Sequence, residues 1–171
     1  YVWMNYYKKL INIQGDKELI FPKVGNPCGI IYKDKIIPIE SLRHTYRAEE
    51  IKNCLINLDQ KVVVEIGGGY GGLGFQLLSK LEKHDNAKFI LFDIPEVIAI
   101  SSAFLITSFP NKKIRLYGEE AIYSIQNFEI GIFPHFSIDD LEVDSIDLFY
   151  NSCSFSEMDE ASSKKYLSII E

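Results

Sequence analysis

Cysteine is scarce in this chain: Cys28, Cys54 and Cys153 make an odd set of three, widely scattered. Their spacing argues against a disulfide framework and against a thiolate metal site, and it suits reduced thiols in a cytoplasmic protein. Dense runs of Lys or Arg are missing as well, and the formal net charge is −6. A nucleic-acid backbone or an anionic membrane is therefore not the expected partner. Long apolar runs are absent too. The most apolar helical candidate, Val97 to Phe109, is too short and too rich in hydroxyls to span a bilayer. No cluster of histidine and carboxylates suggests a metal, and no repeat or low-complexity segment is visible.

What is present is an ordinary globular composition, 47% hydrophobic and 25% charged over 171 residues, with room for one real core. The chain begins at Tyr1 without a methionine and stops at Glu171 within helical spacing, so a fragment of a longer protein is expected. Its most informative stretch is Lys61 to Lys80, KVVVEIGGGYGGLGFQLLSK. Val62, Val63, Val64 and Ile66 form the short apolar run of a strand buried on both faces. Leu73, Leu77, Leu78 and Leu81 then recur at helical spacing. The glycines between them admit positive φ and let a ligand approach the backbone, whose N–H groups at a helix N-terminus favour an anionic group. Two patterns fit at once. Gly69, Gly71 and Gly74 satisfy the GxGxxG of a dinucleotide fold, while Glu65, Gly67, Gly69 and Gly71 give an acid followed by GxGxG.

The flanking segments read as further alternating elements. Val2 or Trp3, Tyr6, Tyr7, Leu10 and Ile11 predict an N-terminal helix with an aromatic stripe, and Phe21 to Glu40 a loop and small hairpin turning at Lys33, Asp34 and Lys35. The division expected is a helix-and-hairpin extension over 1–40 and a Rossmann-like domain over 41–171. A helix from Glu40 or Ser41 buries Ala48, Ile51, Leu55 and Leu58. Phe89 to Phe92 form a second strand ending at Asp93, about 20 residues past the glycines, where a carboxylate is placed to accept both hydrogen bonds of a ribose diol. Pro95 starts a helix read as mostly buried through Val97, Ile98, Ile100, Ser101, Phe104 and Leu105. Ile114 to Leu116 give a third, short strand followed by Glu119 and Glu120, either of which is a candidate to lie near an adenine amino group. Phe128 to Phe133 read as a strand or extended link, Ile146 to Tyr150 as a further strand, and Ala161 to Ile170 as a helix. Together these predict a doubly wound, mostly parallel α/β sheet.

Four blocks carry a resemblance: VGNPCG at Val24 to Gly29, EIGGGYGGLG at Glu65 to Gly74, FDIPE at Phe92 to Glu96, and NSCSFSEM at Asn151 to Met158. The combination resembles the sugar O-methyltransferase family, a branch of the class I methyltransferases that use S-adenosyl-L-methionine (SAM). The likeness runs from about Phe21 to the end. It implies strands lying side by side with the glycine strand central, and SAM as cofactor. Gly67, Gly69 and Gly71 would wrap its methionine part, Glu65 would orient its amino group, and Asp93 would hold its ribose. Asn151 and Ser152 would face the acceptor, a small molecule or glycan. Activated removal of a hydroxyl proton calls for a base, for which His135 and Glu157 are the candidates. The later strands of such a sheet are absent, which leaves an exposed edge by the fourth strand and with it association of copies of the chain. Two other readings stand beside this one, an NAD(P)-binding oxidoreductase and a truncated, non-catalytic cofactor-binding module.

Overall fold

Val62, Val63, Val64 and Ile66 are all buried, and only a strand covered on both faces achieves that. They belong to β3 (Lys61–Ile66), one of five strands in a single all-parallel sheet. The computed structural model describes residues 5, 8, 9, 12, 20–32, 35–58, 61–81, 86–119, 127–142 and 144–170. Within them the chain runs β1 (Gly29–Tyr32), β2 (Lys35–Pro38), α1 (Ile39–Leu55), β3, α2 (Gly72–Lys80), β4 (Ala87–Asp93), α3 (Pro95–Ser108), β5 (Ile114–Leu116), β6 (Ile130–Pro134), β7 (Leu148–Asn151) and α4 (Glu160–Ile170). The first two strands pair antiparallel as the expected small hairpin. The aromatic stripe of the first residues, Lys33 and Asp34 of the hairpin turn, and Glu120 lie outside the described residues.

Alternation along the strands sorts the core into two layers. Val63, Phe89, Leu91, Ile130 and Ile132 meet Ala48, Ile51 and Leu55 of α1, Leu73, Phe75, Leu77 and Leu78 of α2, and Phe104 and Leu105 of α3. On the other face Val62, Val64, Ile66, Ile90, Phe92 and Phe133 meet Ile138 and Tyr166 of α4. This is a Rossmann-like arrangement of helices on both faces of a parallel sheet. Close approach of α2 to the sheet depends on Gly74, where an added Cβ would collide with the fully buried ring of Phe89. Gly74→Ala is therefore expected to lower stability by roughly 1–3 kcal/mol, despite the gain in helix propensity. Chemical denaturation of the two proteins measures it.

The strand order is β5-β6-β4-β3-β7, which corrects the expected one. The segment left open as strand or link is a full strand, β6, lying between β4 and β5, so that β4 and not the glycine strand is in the middle. The reason is burial. All five residues of β6 are buried, which calls for a neighbour on each side, whereas β5 has three residues, two of them half-buried, and suits an edge. β7 forms the other edge and pairs only with β3 among the described residues.

Two burial expectations are corrected as well. In α3 only Ser101, Phe104 and Leu105 are buried, while Ile100 is 58% exposed. The helix lies on one face of the sheet, so a single stripe touches the core however apolar its other residues are. Leu58 lies beyond the end of α1 and is exposed rather than on its buried face. Among the described residues no helix is long and apolar enough to cross a membrane.

The registers bring four strand ends together. Ile66 pairs with Phe92 on one side and with Asn151 on the other, and Asp93 pairs with Pro134. The glycine turn, Asp93, His135 and Ser152 thus follow from one C-terminal edge of the sheet. The chain leaves β3 toward β4 on one side and returns to β7 on the other, so the turn sits at the switch point where open α/β sheets bind ligands.

Candidate functional site

Three left-handed glycines shape the turn after β3: Gly67 at φ +73°, Gly69 at +55° and Gly71 at +90°. Gly71 is the residue before α2, and its N–H donates to the Gly68 carbonyl at 3.0 Å. Gly67 N–H donates to the carbonyl of Phe92 at 2.8 Å, which ties the turn to β4. A Cβ at Gly67 would run into Ser154 Oγ, and one at Gly68 would meet Leu91 Cδ1 at 2.5 Å. At Gly69 nothing lies within 4 Å of where a Cβ would stand. The backbone there is open to a ligand.

Asp93 closes the other side of the turn. Its Oδ2 accepts from Gly69 N–H at 2.7 Å and its Oδ1 from Ile94 N–H at 2.7 Å. The carboxylate points at the glycines, and each oxygen keeps a further lone pair for a ligand hydroxyl. Across the turn, Asn151 Nδ2 and Ser154 Oγ both donate to the Ile66 carbonyl, at 2.9 and 3.0 Å, and Asn151 also bonds Ser154. These bonds hold the residues after β7 against the end of β3. Cys153, at φ +76°, makes the bend that allows it.

Between these elements lies a cavity of about 170 Å³. Glu65 and the Gly67–Tyr70 turn form its floor, Glu40, Arg43, His44 and Arg47 of α1 one wall, and Leu73, Tyr150 and Ser152 the remainder. Glu65 is 5% exposed, and its Oε2 has no hydrogen-bond partner among the described residues. Burial, reinforced by the negative charge of Asp93 and opposed by Arg43, pushes its carboxyl up to about 8. His44 moves the other way, down to about 4, through burial and the nearby Arg43. Its Nδ1 stands 3.4 Å from Tyr70 Oη. Burial raises the phenols of Tyr70 and Tyr150. The cavity thus brings together a carboxyl raised to about 8, an imidazole lowered to about 4 and two phenols beside two guanidiniums and the Glu40 carboxyl.

The residues expected from the sequence fall into three groups. Glu65, Gly67, Gly69 and Ser152 line the cavity, and Gly71 and Asp93 shape the turn beneath it. Asn151 spends its amide on the Ile66 carbonyl. His135 and Glu157 are not among the lining residues: His135 starts the short 3-10 turn after β6, exposed and edge-on to Phe136, and Glu157 is exposed with its N–H bonded to the Ser154 carbonyl. Glu119 uses Oε2 locally, accepting from Leu116 N–H at 2.9 Å. Sequence reasoning missed α1 as a wall. Its signal was RHxxR over Arg43 to Arg47, a helical spacing that puts a basic face next to the strand carrying the glycines. All three cysteines are free and exposed, and no group of potential metal ligands occurs among the described residues. Comparison with protein-family models, with curated proteins and with solved structures finds no match to this chain.

Proposed function

We propose that this chain binds SAM and transfers its methyl group to a hydroxyl of a sugar or glycan. The observation that carries the reading is the buried Oε2 of Glu65, without a hydrogen-bond partner among the described residues, facing the same turn that Asp93 grips from the next strand. A buried oxygen without a partner is costly. The ammonium of an amino-acid ligand satisfies it, and Gly69 leaves the space for that ligand to come close.

SAM supplies an electrophilic methyl on a sulfonium; the chain supplies placement. Glu65 receives the ammonium, the free lone pairs of Asp93 accept ribose hydroxyls, and the walls keep water from the reacting centres. A hydroxyl becomes a good nucleophile when a base within hydrogen-bond reach takes its proton. His44, on the cavity wall, is the base this reading assigns, whereas His135 and Glu157 stand outside the lining. The pH profile of transfer should then lack a limb near 6.5, the ordinary imidazole value.

A dinucleotide is the second reading. Gly74 packs α2 against Phe89, as the last glycine of a GxGxxG turn does. Calorimetric titration with S-adenosylhomocysteine (SAH), SAM and NAD separates the two. The expected result is SAH binding well above NAD; tight NAD binding with none for SAH or SAM overturns the proposal. Binding of SAH without transfer from SAM to any hydroxyl acceptor would leave a cofactor-binding module.

A further inference from the structure

Within the run Gly67 to Gly72, Tyr70 alone has a side chain. Its ring packs edge-on against Phe104 of α3, with centroids 5.0 Å apart and planes at 81°. Phe104 is buried, so the phenol is held in one place. Its Oη stands 3.4 Å from Nδ1 of His44, and the two rings meet edge-on with centroids 5.7 Å apart. Both residues line the cavity, one from the glycine turn and one from α1. Gly72 makes room for the pair: a Cβ there would lie 2.4 Å from His44 Nδ1 and 2.4 Å from Tyr70 Oη. Any other residue would push imidazole and phenol apart. Neither the packing of α2 on the sheet nor a ligand at Gly69 asks this of Gly72.

Behind the phenol is Ser41, one turn before His44 on α1. Its hydroxyl is buried, lacks a partner of full hydrogen-bond geometry among the described residues, and is near enough to act on the Tyr70 phenol. A phenol that gives its one proton to Ser41 can only accept from an imidazole. Nδ1 is then the protonated ring nitrogen, and Nε2 keeps its lone pair.

This inference rests on the SAM reading, in which His44 is the base. We infer that Tyr70 is a positioning residue, which holds His44 in the Nδ1–H tautomer through the contact that Gly72 admits, so that Nε2 faces the acceptor hydroxyl. The proton leaves that hydroxyl for Nε2, and its bonding pair stays on the oxygen for the new bond to carbon. The imidazolium so formed donates Nδ1–H to a fixed acceptor, Tyr70 Oη. A separation of 3.4 Å is long for such a bond, and catalytic hydrogen bonds commonly tighten only when a ligand fills the site.

The test reads the imidazole nitrogens of the ligand-free protein by heteronuclear NMR at neutral pH. The chain has three histidines, and His44→Gln identifies the signal. Wild type is expected to show a protonated Nδ1 and a bare Nε2. Tyr70→Phe, which keeps a ring against Phe104, should return His44 to the Nε2–H form that prevails for histidine in water, and Gly72→Ala should do the same with the phenol still present. Nε2–H in wild type, or an Nδ1–H form that survives in Tyr70→Phe, overturns the inference. SAH affinity in Tyr70→Phe should stay within about threefold of wild type, since the phenol holds the base and not the cofactor; a loss of about tenfold or more would make Tyr70 a cofactor ligand and overturn the role. If wild-type protein binds no SAH, the methyltransferase reading falls by itself, and the tautomer still decides whether Tyr70 sets His44.

Discussion

Glu65→Gln is expected to make the ligand-free protein more stable at neutral and alkaline pH and to leave it no more stable at pH 4. Glu65 is buried, and its folded-state value of about 8 stands above the ordinary 4.5. A group raised in this way contributes its full stability below the unfolded value and loses it as pH climbs toward the folded one. Between about 4.5 and 8 the unfolded chain gains from ionising a carboxyl that the folded chain keeps protonated, and above 8 the loss is constant. The penalty at pH 7 is of the order of 3 kcal/mol, and Gln, which cannot ionise, removes it. Denaturation curves of both proteins at pH 4, 7 and 9 measure the effect, and parallel pH slopes would refute it. The same proton reports on binding. An ammonium docking on Glu65 should expel it, so SAH binding at pH 7 should release up to about one proton, seen as a buffer-dependent heat, and release none in Glu65→Gln.

Asp93→Ala should weaken SAH binding about a hundredfold or more. Two hydrogen bonds from a ribose diol to a carboxylate are worth roughly 1.5–3 kcal/mol each, so their joint loss spans two decades of affinity or beyond. The substitution also orphans the N–H groups of Gly69 and Ile94. Ile94 is exposed and turns to water, but Gly69 is half-buried, and the turn should lose about 1–2 kcal/mol. Asp93→Asn, which keeps an acceptor oxygen, should recover part of both. Because Asp93 is one cause of the high Glu65 value, either variant should also flatten the pH slope of stability between 5 and 8. An SAH affinity within about threefold of wild type in a folded Asp93→Ala protein would contradict the role given to this carboxylate.

Much of the fold was legible because burial on both faces leaves a plain mark. Val62 to Val64 and Phe89 to Phe92 are apolar without interruption, and each lies in a strand. Asp93 was legible for a different reason: a carboxylate directly after such a run has one place to go, the strand's C-terminal tip. The position of β6 was not legible. Its residues say that it is buried but not which strands it lies between, and that choice is made by competition with β5 for the edge of β4. Nor did helical spacing tell how deep α3 sits, because an apolar helix resting on one face of a sheet looks the same in sequence as one surrounded.

The amino-acid order alone determined the strand, turn and helix around Gly67 to Gly74, since φ above zero and close backbone approach are properties of single residues and their neighbours. It equally determined that a parallel sheet was needed to bury the apolar runs. Tertiary structure decided what stands opposite the turn. Arg43, His44 and Arg47 lie about 20 positions before the glycines, and Tyr150 and Ser152 about 80 after. No local preference of the chain relates those distances; the register of β3 with β7 and the packing of α1 over α2 bring them to one cavity. The raised carboxyl of Glu65 has the same origin. Desolvation is a property of the surroundings, and those exist only once the sheet and its helices have closed around that side chain.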